Sequence, residues 1–164
     1  MRPPGADLSP GTSTRRRRPH SVRPPRRAGA VRYDARMPIV HVHVRAGRAA
    51  REKQAILDGV HAALVEAFRI PDHDRNQILH EHAPEHFESA KGPGFTLVEL
   101  TVFPGRTPDA KRRLYAAIVG NLERSAGVAP ANVLVVLHEP PLECWGIRGG
   151  KAATDVAIGF KVDV

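Results

Sequence analysis

Met37-Pro38 stands just before an alternating run, Ile39-Val40-His41-Val42-His43-Val44. If synthesis began at Met37 and that residue were removed, Pro38 would carry a free secondary amine at the mouth of a strand. Such an amine can take a proton from a carbon beside a carbonyl and return it elsewhere. That is general acid/base work, and it is most effective near a neutral pKa. Proline's amine starts more basic than an ordinary α-amino group, and burial or a nearby cation such as Arg106 would lower it. With residues 1–36 attached, the same nitrogen is a tertiary amide without a proton, and Pro38 is an ordinary strand-entry proline.

Other side chains could serve that amine. Arg106 is a candidate clamp for a substrate carboxylate, because a guanidinium meets a carboxylate through two parallel hydrogen bonds. It would also stabilise charge that develops in an enol-like transition state. Arg106 reads equally as a solvated arginine near a helix, and Arg48 has the same claim by repeat symmetry. Arg148, between Ile147 and Gly149-Gly150, is a second anion-binding candidate. Trp145 either lines the pocket or fills a subunit interface. Asp74 is either a functional carboxylate or a turn residue in Pro71-Asp72-His73-Asp74. His41 and His43 share a strand face, as do His80 and His82. That is metal-ligand spacing, but no third ligand or cysteine cluster joins them, so they read as interface histidines with no metal. Cys144 has no partner context marking it as a nucleophile.

These residues need a scaffold, and the composition shows where it starts. The 164 residues carry 25 Lys+Arg and 17 Asp+Glu, a net charge of +8. Ten of the arginines, two of the aspartates and six of the prolines fall before residue 37, so the remainder is neutral. Residues 1–36 therefore read as a disordered Arg/Pro-rich leader or a mis-assigned start, too poor in apolar residues to offset the entropy of ordering. A basic arm for nucleic acid is disfavoured, since Tyr33 is its only aromatic residue. The single cysteine fits a reducing, cytoplasmic setting. No apolar run is long enough to span a membrane.

Residues 37–164 form the expected domain. Within it the sequence repeats without a gap at an offset of 58: Gly47-Arg48 with Gly105-Arg106, Lys53 with Lys111, and Leu79-His80-Glu81 with Leu137-His138-Glu139. Each copy, about 38–82 and 96–140, reads as a β-α-β unit. The first helix carries the stripe Ile56, Leu57, Val60, Leu64, Ala67 and Phe68. The second opens on Thr107-Pro108, carries Leu114, Ile118 and Leu122, and stops at Gly127. Short strands are expected near Gln77–Glu81 and Val133–His138. The fold class is α/β: a four-stranded sheet with both helices on one face and a last strand at 156–164. The other sheet face, with His41, His43, Leu97, Glu99, Thr101 and Phe103, is too mixed for a private core and suggests packing between subunits.

With these features the chain resembles the tautomerase superfamily of 4-oxalocrotonate tautomerase and malonate semialdehyde decarboxylase, in a long, fused branch. The resemblance rests on Met37-Pro38, the duplicated unit, Ile70-Pro71 with Asp74-Arg75, Leu100 to Arg106, and His138-Glu139-Pro140-Pro141 with Trp145 to Gly150. It implies a homotrimer with this duplicated (MIF-like) fold and a cofactor-independent isomerase. Keto–enol proton transfer on a 2-oxo or unsaturated carboxylate would run through Pro38, with Arg106 holding the carboxylate. It places the decarboxylase's water-polarising aspartate at Asp74. That enzyme's extra arginine falls at Pro104 here, which weakens a decarboxylase, hydratase or dehalogenase reading on a three-carbon acid. The remaining alternative is a non-enzymatic trimer with a basic anion-binding arm.

Overall fold

The computed structural model describes residues 38–156. The proposed leader, Met37 and most of the expected last strand lie outside the described residues. Val40, Val42 and Val44 alternate with polar neighbours, and this period of two gives β1 (Ile39–Arg45) one buried face. α1 (Ala50–Phe68) follows, then β2 (Asn76–His82). The second copy supplies β3 (Thr96–Thr101), α2 (Pro108–Ala126) and β4 (Val133–His138). Both helices are 19 residues long and start 58 residues apart.

The helix ends follow from local chemistry. Thr107 Oγ1 accepts the Ala110 N–H at 3.2 Å, and Pro108 sits where no helical N–H is needed. α2 stops at Gly127, whose φ of 64° is the left-handed cap. α1 starts at Ala49, which has no capping oxygen, so the Glu52 carboxylate accepts its N–H at 3.2 Å. Its end adopts the same left-handed cap at Arg69, φ 52°, the counterpart of Gly127.

The sheet order is β2-β1-β3-β4. β1 and β2 pair in parallel, as do β3 and β4, while β1 and β3 are antiparallel. The two units are thus joined edge to edge about a pseudo-dyad. Both helices cover one face. Ile56, Val60 and Leu64 of α1 and Leu114, Ile118 and Leu122 of α2, which are equivalent pairs, lie fully buried on Val40, Val42, Val44, Val98 and Leu100. The helices come close at Gly59, whose carbonyl accepts from Asn121 Nδ2 at 2.9 Å.

The other face, uncovered among the described residues, carries His41, His43, His80, His82, Glu99 and His138. Phe103 is the exception to the expected bare face. It is buried in a second, smaller cluster with Trp145, Ile147 and Ala153, on which Ile39, Leu142 and Val156 pack. This cluster is held by the hairpin of β5 (Gly146–Ile147) and β6 (Lys151–Ala152). Among the described residues no helix is long and apolar enough to cross a membrane.

Candidate active site

Strand register brings three of the expected residues to one end of the sheet. Ile39 pairs with Asn76 in the parallel ladder, so Pro38 and Asp74 lead into neighbouring strands. Ile39 also pairs with Thr101 in the antiparallel ladder, so Pro38 lies beside the outgoing end of β3. That end runs through Val102 and Phe103 to Arg106. Pro38 is buried, and so are Asp74 and Arg106, at 8% and 6% exposure. A buried charge is costly unless it has partners, and the Arg106 guanidinium lies 4.9 Å over the Phe68 ring.

The turn that carries Asp74 is tied to α1 at several points. The Asp74 N–H donates to Pro71 O at 3.0 Å, and Asn76 Nδ2 donates to Asp74 Oδ1 at 3.3 Å. His61, buried in α1, contacts the Asp72 carbonyl through Nε2 at 2.8 Å. Arg75 pairs with Asp58 at 2.5 Å, and this hydrogen bond, with a second from Gln54, holds the Asp58 carboxyl below its ordinary pKa. The Gln77 amide donates to Leu57 O at 3.0 Å. Sequence reasoning missed His61. It lies on the flank of the apolar stripe, and its burial shows only once the 69–75 turn folds over it.

Trp145 is buried and meets Phe103 edge-on, with centroids 4.7 Å apart. Its ring N–H donates to Pro140 O at 3.2 Å. It therefore fills the small second core, whose border includes Ile39, next to Pro38. Arg148 is exposed on the β5–β6 turn with φ 46°. Arg48 donates through Nη2 to Gly94 O at 3.2 Å and to Thr96 Oγ1 at 3.5 Å. Gly47 and Gly105 precede the two arginines with φ of 109° and 113°, a conformation open to glycine. Among the described residues no three His, Cys, Asp or Glu side chains are arranged to hold a metal ion.

The duplicated β-α-β sheet has the fold of fused tautomerases, as comparisons with known proteins show. Family models described as tautomerase enzyme match residues 38–90 and 74–148. Probable tautomerase YrdN of Bacillus subtilis (strain 168) is 32% identical over 122 residues, covering 71% of this chain and 95% of that protein. Among solved structures, malonate semialdehyde decarboxylase, described with decarboxylase and hydratase activities, is 29% identical. The match covers 73% of this chain and 99% of that one with a TM-score of 0.62. A fused 4-OT solved as a symmetric trimer is 28% identical, over 71% of this chain and 96% of that one, at a TM-score of 0.64. The chain belongs to the tautomerase family.

Proposed function

We propose that this chain is a cofactor-independent tautomerase that moves a proton between the keto and enol forms of a 2-oxo or unsaturated carboxylate. Pro38 carries the proton in the form of the chain whose first residue is Pro38. The observation that carries this reading is Pro38's buried place between the head of β2 and the outgoing end of β3. Two facts support it: the family match to the first copy begins at residue 38, and relatives are matched over nearly their whole length by about seven-tenths of this chain.

In the mechanism, the substrate carboxylate pairs with Arg106. Pro38 nitrogen takes a proton from the carbon beside the carbonyl. The C–H electron pair flows into the carbonyl, and the oxygen gains negative charge that Arg106 and the buried surroundings favour. The ammonium then returns the proton to oxygen or to a second carbon. Trp145 supplies an apolar wall and Arg148 a second cation at the mouth. Assembly is as a homotrimer, as in the fused 4-OT relative, with the uncovered sheet face directed to other copies.

A second reading has one specific observation behind it. Asp74 is a buried carboxylate at the head of the strand beside Pro38, which is where a water could be polarised for hydration or decarboxylation. Pro104 in place of a second arginine argues against it.

The test is ketonisation of phenylenolpyruvate by protein produced from Met37 with that residue removed. Pro38→Ala is expected to lower kcat by about 10²–10⁴-fold. Equal turnover by that variant overturns the proline mechanism. Protein retaining residues 1–37 is expected to be inactive, since its Pro38 nitrogen is an amide. Turnover of malonate semialdehyde that is lost in Asp74→Asn would favour the second reading.

A further inference from the structure

The uncovered sheet face holds a feature the proposed chemistry does not use. Four imidazoles and two phenyl rings form one continuous stack. His41 lies 5.2 Å from His80, which lies 4.5 Å from His43, which lies 5.1 Å from His82. The stack continues to Phe87 at 5.0 Å and Phe95 at 5.6 Å. Consecutive rings are within 24° of parallel. Two nitrogen contacts run across it, both 2.9 Å from Nδ1 to Nε2: His41 to His80, and His43 to His82. Each contact needs one ring N–H and one bare ring nitrogen. A pair can therefore hold one extra proton at an outer nitrogen, but two extra protons would set N–H against N–H.

The charges facing His43 come from all four strands. β1 adds His41 and Arg45, β2 adds His80 and His82, and β4 adds His138. β3 adds the one carboxylate, Glu99, with Oε2 3.2 Å from His43 and Oε1 3.5 Å from His138. One carboxylate cannot neutralise five protonated rings and an arginine. Among the described residues the large hydrophobic side chains that stand exposed, Ile78 at 49% and Leu134 at 46%, lie on the same face, on the two edge strands. Apolar rims around a neutral stack make a surface that water does not favour. A cationic stack between copies would repel itself.

We propose that this face is where copies of the chain associate, and that association requires the histidine stack to be neutral, so that mild acid takes the assembly apart. The proposal rests on the homotrimer assigned above and adds its regulation. Burial, together with His80 and His82, already holds the His43 ring below its ordinary pKa, against an opposing pull from Glu99. That holds in the separate chain; packing a second copy on this face would take further water from the rings and favour their neutral form, so the packed state binds fewer protons than the separated one and packing weakens as pH falls through the imidazole range.

The test is native mass spectrometry with sedimentation of the full chain from about pH 8 to about pH 5, a window centred on imidazole titration. Circular dichroism in parallel reports whether each species remains folded. A three-chain species is expected at the alkaline end, with its association constant falling about tenfold or more per pH unit below the transition. His43→Phe together with His80→Phe keeps flat rings in the stack without titration, and should leave the three-chain species present at the acid end. Should that chain not fold, single His43→Phe is expected to move the transition to lower pH. A folded assembly whose size does not change across the window overturns the proposal, as does an unmoved transition in the folded variant. A single chain at the alkaline end overturns both the switch and the homotrimer. Pro38→Ala is expected to assemble like the parent, which keeps a failure of catalysis separate from a failure of this inference.

Discussion

Pro38 leads into the first strand and Thr96 opens the third, and the two occupy the same place in the two copies. The same pairing sets Asp74 against Asn132, Arg106 against Arg48, and Phe68 against Ala126. The backbones match closely: helices of equal length, equal offsets, and twin glycines ahead of twin arginines. Around Thr96 the arginine is spent on the chain's own Gly94 carbonyl and the threonine hydroxyl, and Gly94 packs directly against Asn132. Around Pro38 the arginine lies over an aromatic ring beside a buried carboxylate segment. One scaffold thus holds a buried arginine over an aromatic ring at one end and a structural tie at the other. Three side-chain differences accompany the change: Pro38 for Thr96, Asp74 for Asn132 and Phe68 for Ala126.

Equal replacements in the two copies test that comparison. Ile56→Ala and Leu114→Ala remove equivalent, fully buried side chains. Each is expected to cost about 2–5 kcal/mol in urea unfolding, the two agreeing within about 1 kcal/mol; a larger gap would mean the cores are not equivalent. The arginines should diverge. In the Pro38-first chain, Arg106→Ala is expected to raise KM for phenylenolpyruvate about 100-fold, the loss of a charge-assisted pair. Arg48→Ala should leave KM within about twofold and lower stability by about 1 kcal/mol. A matching rise in KM for both would show that the copies share the substrate. Gly127→Ala puts a Cβ on the left-handed cap and should lower stability by about 1–2 kcal/mol. The smallest effect is expected at the paired lysines. Lys53 meets Glu81 at 2.8 Å and Lys111 meets Glu139, so Lys53→Met or Lys111→Met should cost about 0.2–1 kcal/mol each by thermal unfolding.

Much of this scaffold was readable because the sequence states it twice. The offset of 58 placed both helices, Thr107 and Gly127 marked the ends of the second, and alternating valines showed which strand face turns inward. β2 extends one residue beyond each end of the expected Gln77–Glu81. What stayed hidden depends on pairing between strands. Spacing along β1 shows that His41 and His43 share a face, but only the parallel register with β2 interleaves them with His80 and His82. The antiparallel join of β1 and β3 is likewise unwritten in either copy alone, yet it sets Pro38 beside the strand leading to Arg106. Phe103 alternated as an outward residue, and it is buried because Trp145, some forty positions later, folds over it.

The pseudo-dyad passes through a single cross-strand pair, His41 and Glu99, which are 58 residues apart and sit directly opposite each other. In two separate but identical half-length chains joined this way, that position would face its own copy. A glutamate there would meet a glutamate, and like charges opposed across a ladder are destabilising. Tandem fusion lifts this self-facing constraint. The two halves of the contact become independent letters of one sequence, and an acid can stand among the histidines without meeting itself.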